Sequence, residues 1–259
     1  TCGPGATNLV EPGPVAGATS FGIRAQTGTN AAGISITAVD VAGTYGIGAI
    51  SEGTGSTSIV STGNVVGFAG DAVRIENKST ATDALVSVHN AEGALFGIQV
   101  DNEGTGTTTV RASGTVTGQT FTGIAVKTGT SAQDVVVDAV DVTGSSGVTV
   151  TNFGLGSASI SATGIVTGEA GNGAGIATVG GTGSTDIRVS AVSVQGGADG
   201  ITTNNDGGGE TFIATTGLVS GGEDGIFASN GVGASDLTVR ASAVQRGREG
   251  CGVEQFGGG

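Results

Sequence analysis

Three carboxylates stand at equal intervals near the end of the chain. Asp199, Asp224 and Glu249 each precede a glycine, in "GGADGI", "GGEDGI" and "GREGCG", and Asp71 holds the same place in "AGDAV". Stacked on one another, three such side chains would repel unless water or a cation lay between them. Calcium, which takes six to eight oxygens, is the natural candidate. The calcium-binding nonapeptide GGxGxDxUx is absent and only echoed here. A solvated acidic corner and a weak cation site are both open readings, the first being the simpler. Other chemistry is sparse. The one histidine, His89, lies in "LVSVHNAEG", so no Ser-His-Asp or Cys-His apparatus has more than one possible centre, and it reads as a polar loop residue. Zinc-type His/Cys spacing is absent. Asp138 and Asp141 in "VVVDAVDV" form an acidic pair with no basic residue nearby in sequence. The expectation is a chain that is not an enzyme, with no cofactor and no assigned metal.

What positions these residues is a repeat. A small residue followed by an aliphatic one recurs at Gly22, Gly46, Ala72, Gly97, Gly123, Gly147, Gly175, Gly200 and Gly225, and Gly250 opens a last copy. Successive openings are 24, 26, 25, 26, 24, 28, 25, 25 and 25 residues apart by subtraction of those numbers. Within a unit such as "GIQVDNEGTGTTTVRASGTVTG", apolar residues alternate: Ile98 and Val100, Val110 and Ala112, then Val116. A period of two means strands. Three short strands per unit are too few residues for a propeller blade, and the leucine-rich signature is missing. The remaining solution is all-β: a single-stranded parallel β-helix of about nine to ten coils, each strand pairing with its own copy in the next coil. One ladder of inward residues is expected at Ile98, Ile124, Val148, Ile176, Ile201 and Ile226. The recurring Asn77, Asn102, Asn152, Asn205 and Asn230, five residues after each opening, read as corner residues in the left-handed region that glycine and asparagine tolerate.

A second period is superposed. Alternate coils carry a small polar residue before glycine ("STG" to Gly63, "ASG" to Gly114, "ATG" to Gly164, "TTG" to Gly217), and those between carry Ala-Val at Val140, Val192 and Val244. The duplicated unit is therefore two coils long. Residues 1–21 lack the openings and hold all three prolines, and read as a lead-in or cap that covers the exposed end of a solenoid. Residues 22–259 form the repeat domain, ending in an incomplete coil begun at Gly250.

Phrases such as "GGEDGIFASNGVGASDLTVRASAV" and "GTGTTTVRASGTVTG" resemble the repeats of autotransporter passenger domains, the surface-exposed or secreted part of type V secretion proteins of Gram-negative bacteria. The resemblance covers about residues 20–250 and lies in the repeat style, with no active-site motif. It implies a right-handed parallel β-helix exported through the outer membrane, usually joined to a C-terminal barrel. No barrel follows here, and Thr1 is not a methionine, so a fragment is expected. The implied function is an extracellular or cell-surface structural and adhesive stalk, with host or neighbouring-cell glycans or proteins as partners.

Composition narrows the alternatives. Charged residues are 12% and the formal net charge is −13. Nucleic acid and anionic membrane surfaces need clustered Lys and Arg, so neither is expected as a partner. No apolar run is long enough to span a membrane. A carbohydrate-active β-helix enzyme is the main alternative. It would need two carboxylates at a set distance and usually an aromatic groove. This chain has no Trp, one Tyr (Tyr45) and eight Phe scattered along the sequence. An ice-binding face would need threonine on most coils, whereas Ser58, Thr109, Ser159 and Phe212 are mixed. Cys2 and Cys251 stand near the two ends. In an oxidising compartment they could clip one molecule, join copies head to tail, or stay free, and the open coil edges themselves invite end-to-end association.

Overall fold

The structure is a computed structural model that describes residues 7–169, 171–247 and 249–255. Every regular element among these residues is a β-strand, 22 in all, and every pairing between them is parallel. The chain winds into a β-solenoid of about ten turns with three faces. One face stacks Thr7–Glu11, Ile34–Ala38 and residues 57–61, and continues to Leu237. The second runs from Val15 and Val41 to Val244. The third runs from residues 23–27 and 47–51 through Val73–Asn77 and Ile98–Asn102 to Glu249–Gln255. At a rung spacing of about 4.8 Å, ten rungs extend about 43 Å.

The expected apolar ladder is present in register. Ile98, Ile124, Val148, Ile176, Ile201 and Ile226 are successive Cα partners and each is fully buried. Val, Ile and Ala from the three faces merge into one core. Small aliphatic side chains suit this cross-section because each residue packs on its own copy above and below.

The solenoid begins before Gly22. Thr7–Glu11 pairs with Ile34–Ala38, and Val15–Thr27 pairs with Val41–Ser51. The boundary expected at residue 21 therefore falls inside a strand, and the described part of the expected lead-in is itself coil. The prolines hid this. Pro12-Gly13-Pro14 occupies the place that Thr62-Gly63-Asn64 holds two coils later.

The two-coil period has a structural cause. Between the first and second faces, alternate coils place two and three residues. Ala38 and Val41 enclose two, Ser61 and Val65 three, Val88 and Ala91 two, Ala112 and Val116 three. The extra residue is a β-bulge at glycine, and a bulge leaves an N–H outside the ladder. The preceding coil supplies the acceptor. Asp40 Oδ1 accepts from Asn64 N–H, Asn90 Oδ1 from Thr115 and Asp141 Oδ1 from Ile165, each at 2.8 Å. In the first coil the corresponding residue is Pro14, which has no N–H to satisfy. The corner between the third and first faces alternates likewise. There Asp83, Asp134 and Asp186 accept from the N–H of Thr107, Ser157 and Glu210 at 2.8, 2.7 and 2.9 Å. Length variation collects at the remaining corner, where the linker ranges from three residues after Gly144 to seven after Gly168.

The asparagines differ from expectation. Among the described residues no non-glycine residue has positive φ, and Gly33 is the one glycine that does. Asn77, Asn102, Asn152, Asn205 and Asn230 are the last residues of their strands, in ordinary extended backbone, and point inward. Their amides hold the corner loops from inside. Asn152 Nδ2 donates to Gly156 O at 2.9 Å, while Asn152 Oδ1 accepts from Gly154 N–H at 3.0 Å and from the Thr128 hydroxyl at 2.8 Å. Asn77, Asn205 and Asn230 likewise donate to corner carbonyls, as buried polar groups require partners, whereas Gly180 holds this place in the coil between Asn152 and Asn205.

Candidate functional site

The residue before each repeat opening lines the variable corner, and the acidic stack lies there. Asp224 is the Cα partner of Glu249, and Asp224 N–H donates to Asp199 Oδ1 at 3.3 Å. Burial raises the Asp199 carboxyl above its ordinary value, with the charges of Asp224 and Glu223 adding to the rise. Asp71 shows the same use more clearly. It is 2% exposed, and its Oδ1 accepts from Phe96 N–H at 3.3 Å. Burial raises its carboxyl against the opposing pull of the Phe96 N–H and of Arg74. Asp71 and Asp199 thus cap backbone of the next coil. Among the described residues no three His, Cys, Asp or Glu side chains converge as a metal cage.

The other candidates separate. His89 is exposed and its Nδ1 contacts Ser113 Oγ at 3.0 Å. Asp141 is a bulge cap, whereas Asp138 has a basic partner that its sequence neighbours do not reveal: Arg111 Nε, one coil away, at 3.4 Å. Both side chains are about half exposed, so this pair contributes little. Cys251 is a free, exposed thiol on the last rung of the third face, raised in pKa by partial burial and by Asp224. Cys2 lies outside the described residues. The column through Ser58, Thr109, Ser159 and Phe212 also contains Leu85, Val136 and Arg188, and so presents no regular hydroxyl array.

The structure gathers what the sequence scattered. At the same corner stand Phe21, Tyr45, Phe68, Phe96 and Phe121, one aromatic on each of five successive coils. Phe21 and Tyr45 stack with centroids 4.7 Å apart, and Phe96 and Phe121 at 5.1 Å. Phe68 is 66% exposed. The signal was available, since Phe21, Tyr45 and Phe96 each directly precede an opening residue, as Asp71 does. One corner column is thus aromatic toward its N-terminal end and acidic toward its C-terminal end.

A cleft of about 210 Å³ opens beside Phe21 and Tyr45. Its floor is Gly48, which lies between Arg24 on one coil and Arg74 on the next. A Cβ there would lie 2.5 Å from Cε1 of the Phe21 ring, so glycine allows that ring to pack over the floor. Ile50 and Glu76 complete the wall. Arg74 is neutralised by Glu76 and by Asp71, the latter 3.6 Å away. Arg24 is exposed, forms no ion pair among the described residues, donates to Gln26 Oε1 at 3.1 Å and sits 5.4 Å from the Phe21 centroid. A second groove, of about 260 Å³, runs along the bulge corner past Asn64, Asn90 and Thr115. There the amides are engaged with each other and with backbone, which makes it part of the scaffold.

No family model, no curated protein and no solved structure matches the chain.

Proposed function

We propose that this chain is an extracellular structural and adhesive stalk, the passenger part of an autotransporter-like surface or secreted protein, which contacts ligands without transforming them. The observation that carries this reading is where the polar residues go. The repeated Asp and Asn residues are committed to capping backbone at the corners, coil after coil, which extends length and surface and converges on no reacting centre. The repeat phrases that resemble passenger domains support an exported, cell-surface setting for such a stalk.

A second reading has one specific observation in its favour. Asp71, Arg74 and Glu76 sit together next to the stacked aromatics, which is the kind of grouping a polysaccharide lyase or hydrolase uses. Against it, Asp71 is buried and its oxygen is spent on the Phe96 N–H. A glycan array run beside a reducing-sugar release assay separates the two. Binding without release supports the stalk; release of sugar overturns it.

A further inference from the structure

We propose that the cleft between Arg24 and Arg74 binds a single carboxylated sugar ring, such as a terminal uronate of a glycan, with the carboxylate on Arg24. This rests on the adhesive reading above and names a ligand class for it. Each wall of the cleft supplies one part of that recognition. The stacked Phe21–Tyr45 pair presents apolar ring surface to the C–H face of a sugar. Glu76, partly exposed in the wall and held by Arg74 and Lys78, keeps a lone pair on Oε2 to accept from a ring hydroxyl. Gly48, without a side chain, lets the Phe21 ring lie over the floor and so fixes that wall of the cleft.

The charge distribution selects the ligand further. Arg74 is already matched by two carboxylates, whereas among the described residues Arg24 is held by Gln26 and by the face of Phe21 alone. A guanidinium so placed offers a paired N–H fork to one carboxylate. The molecule carries a formal charge of −13, which repels polyanions over its length. An isolated acidic sugar meets the local cation without that penalty, so a densely charged polyuronate is disfavoured. The cleft volume also suits one ring at a time.

The chain reports on its own site. Tyr45 is the only tyrosine and there is no tryptophan, so its intrinsic emission comes almost entirely from one wall of this cleft. Titration of the full chain with methyl glucuronide should change that emission saturably, and methyl glucoside should not. Arg24→Gln removes the charge from an exposed side chain and should weaken affinity about tenfold or more, the loss of a charge-assisted pair. Arg24→Lys should recover part of it. Unchanged circular dichroism confirms that the variants fold. A silent Tyr45, or an equal response to the uncharged glucoside, overturns the assignment. Glycan-array binding with Tyr45 silent would overturn this site while leaving the adhesive reading intact, and sugar release would overturn that reading instead.

Discussion

Asn152→Ala tests the claim that buried asparagines hold the corners from within. Asn152 is fully buried and makes three hydrogen bonds, to Gly156 O, Gly154 N–H and the Thr128 hydroxyl. Truncation strands the two backbone groups. Each unsatisfied buried group costs about 1–3 kcal/mol, so about 2–6 kcal/mol is expected, and water admitted to the vacated space moves the value toward the lower end. Contacts in a solenoid are confined to neighbouring coils, so the damage should be local. The assay is native-state amide hydrogen exchange, with peptides covering residues 128–132, 152–158 and 180–187 compared with those beyond two coils away. Protection should fall in the first group and persist in the second. Asn152→Asp keeps the acceptor, loses the donor and buries a charge. Its folded-state pKa is raised, so it should be destabilised at neutral pH and regain stability on acidification, when the protonated carboxyl can donate to Gly156. A loss below about 1 kcal/mol, or one spread evenly along the chain, would refute the reasoning.

Three further outcomes are expected. Burial raises the Asp71 carboxyl above 3.8 in the folded state, so its contribution to stability is fully present below the unfolded value and is lost as pH rises through the folded one. Asp71→Asn, which keeps the acceptor for Phe96 N–H, should exceed the parent in stability at neutral pH, and the gap should close as pH falls toward 3.8; urea midpoints across pH measure this. Gly164→Ala should destabilise the bulge, because an added Cβ would collide with Asp141 Oδ1 and lie 2.8 Å from Val140 O, whereas Gly13→Ala, with nothing within 4 Å, should be neutral in the same assay. Ile176→Asp buries an unpaired charge in the central ladder, at several kcal/mol, and limited proteolysis should show new cleavage within residues 150–200; an unchanged digest would mean the ladder assignment is wrong.

The sequence alone determined the architecture because a solenoid is a local rule repeated. The 25-residue spacing and the two-residue alternation place the coils from Gly22 onward and every member of the Ile98–Ile226 ladder without knowledge of the rest of the chain, and fail only where prolines mask the first coil. Even the alternating glycines at 63, 114, 164 and 217 announced a two-coil unit. Their cause was not legible, since the Asp40–Asn64 bond joins residues 24 apart and depends on which coil bulges. A separation of 27 residues likewise hid Arg111 from Asp138, and coil-length spacing made the corner aromatics look scattered when they are neighbours across coils. The asparagines were misplaced for another reason. Composition cannot distinguish a residue that tolerates unusual backbone from one whose amide is wanted inside, and only the tertiary structure, which surrounds Asn152 with loop N–H and C=O groups, made that choice. The cleft was decided the same way: Arg24, Gly48 and Arg74 become one site because stacking puts them on adjacent rungs, an adjacency that exists only once the coils are closed.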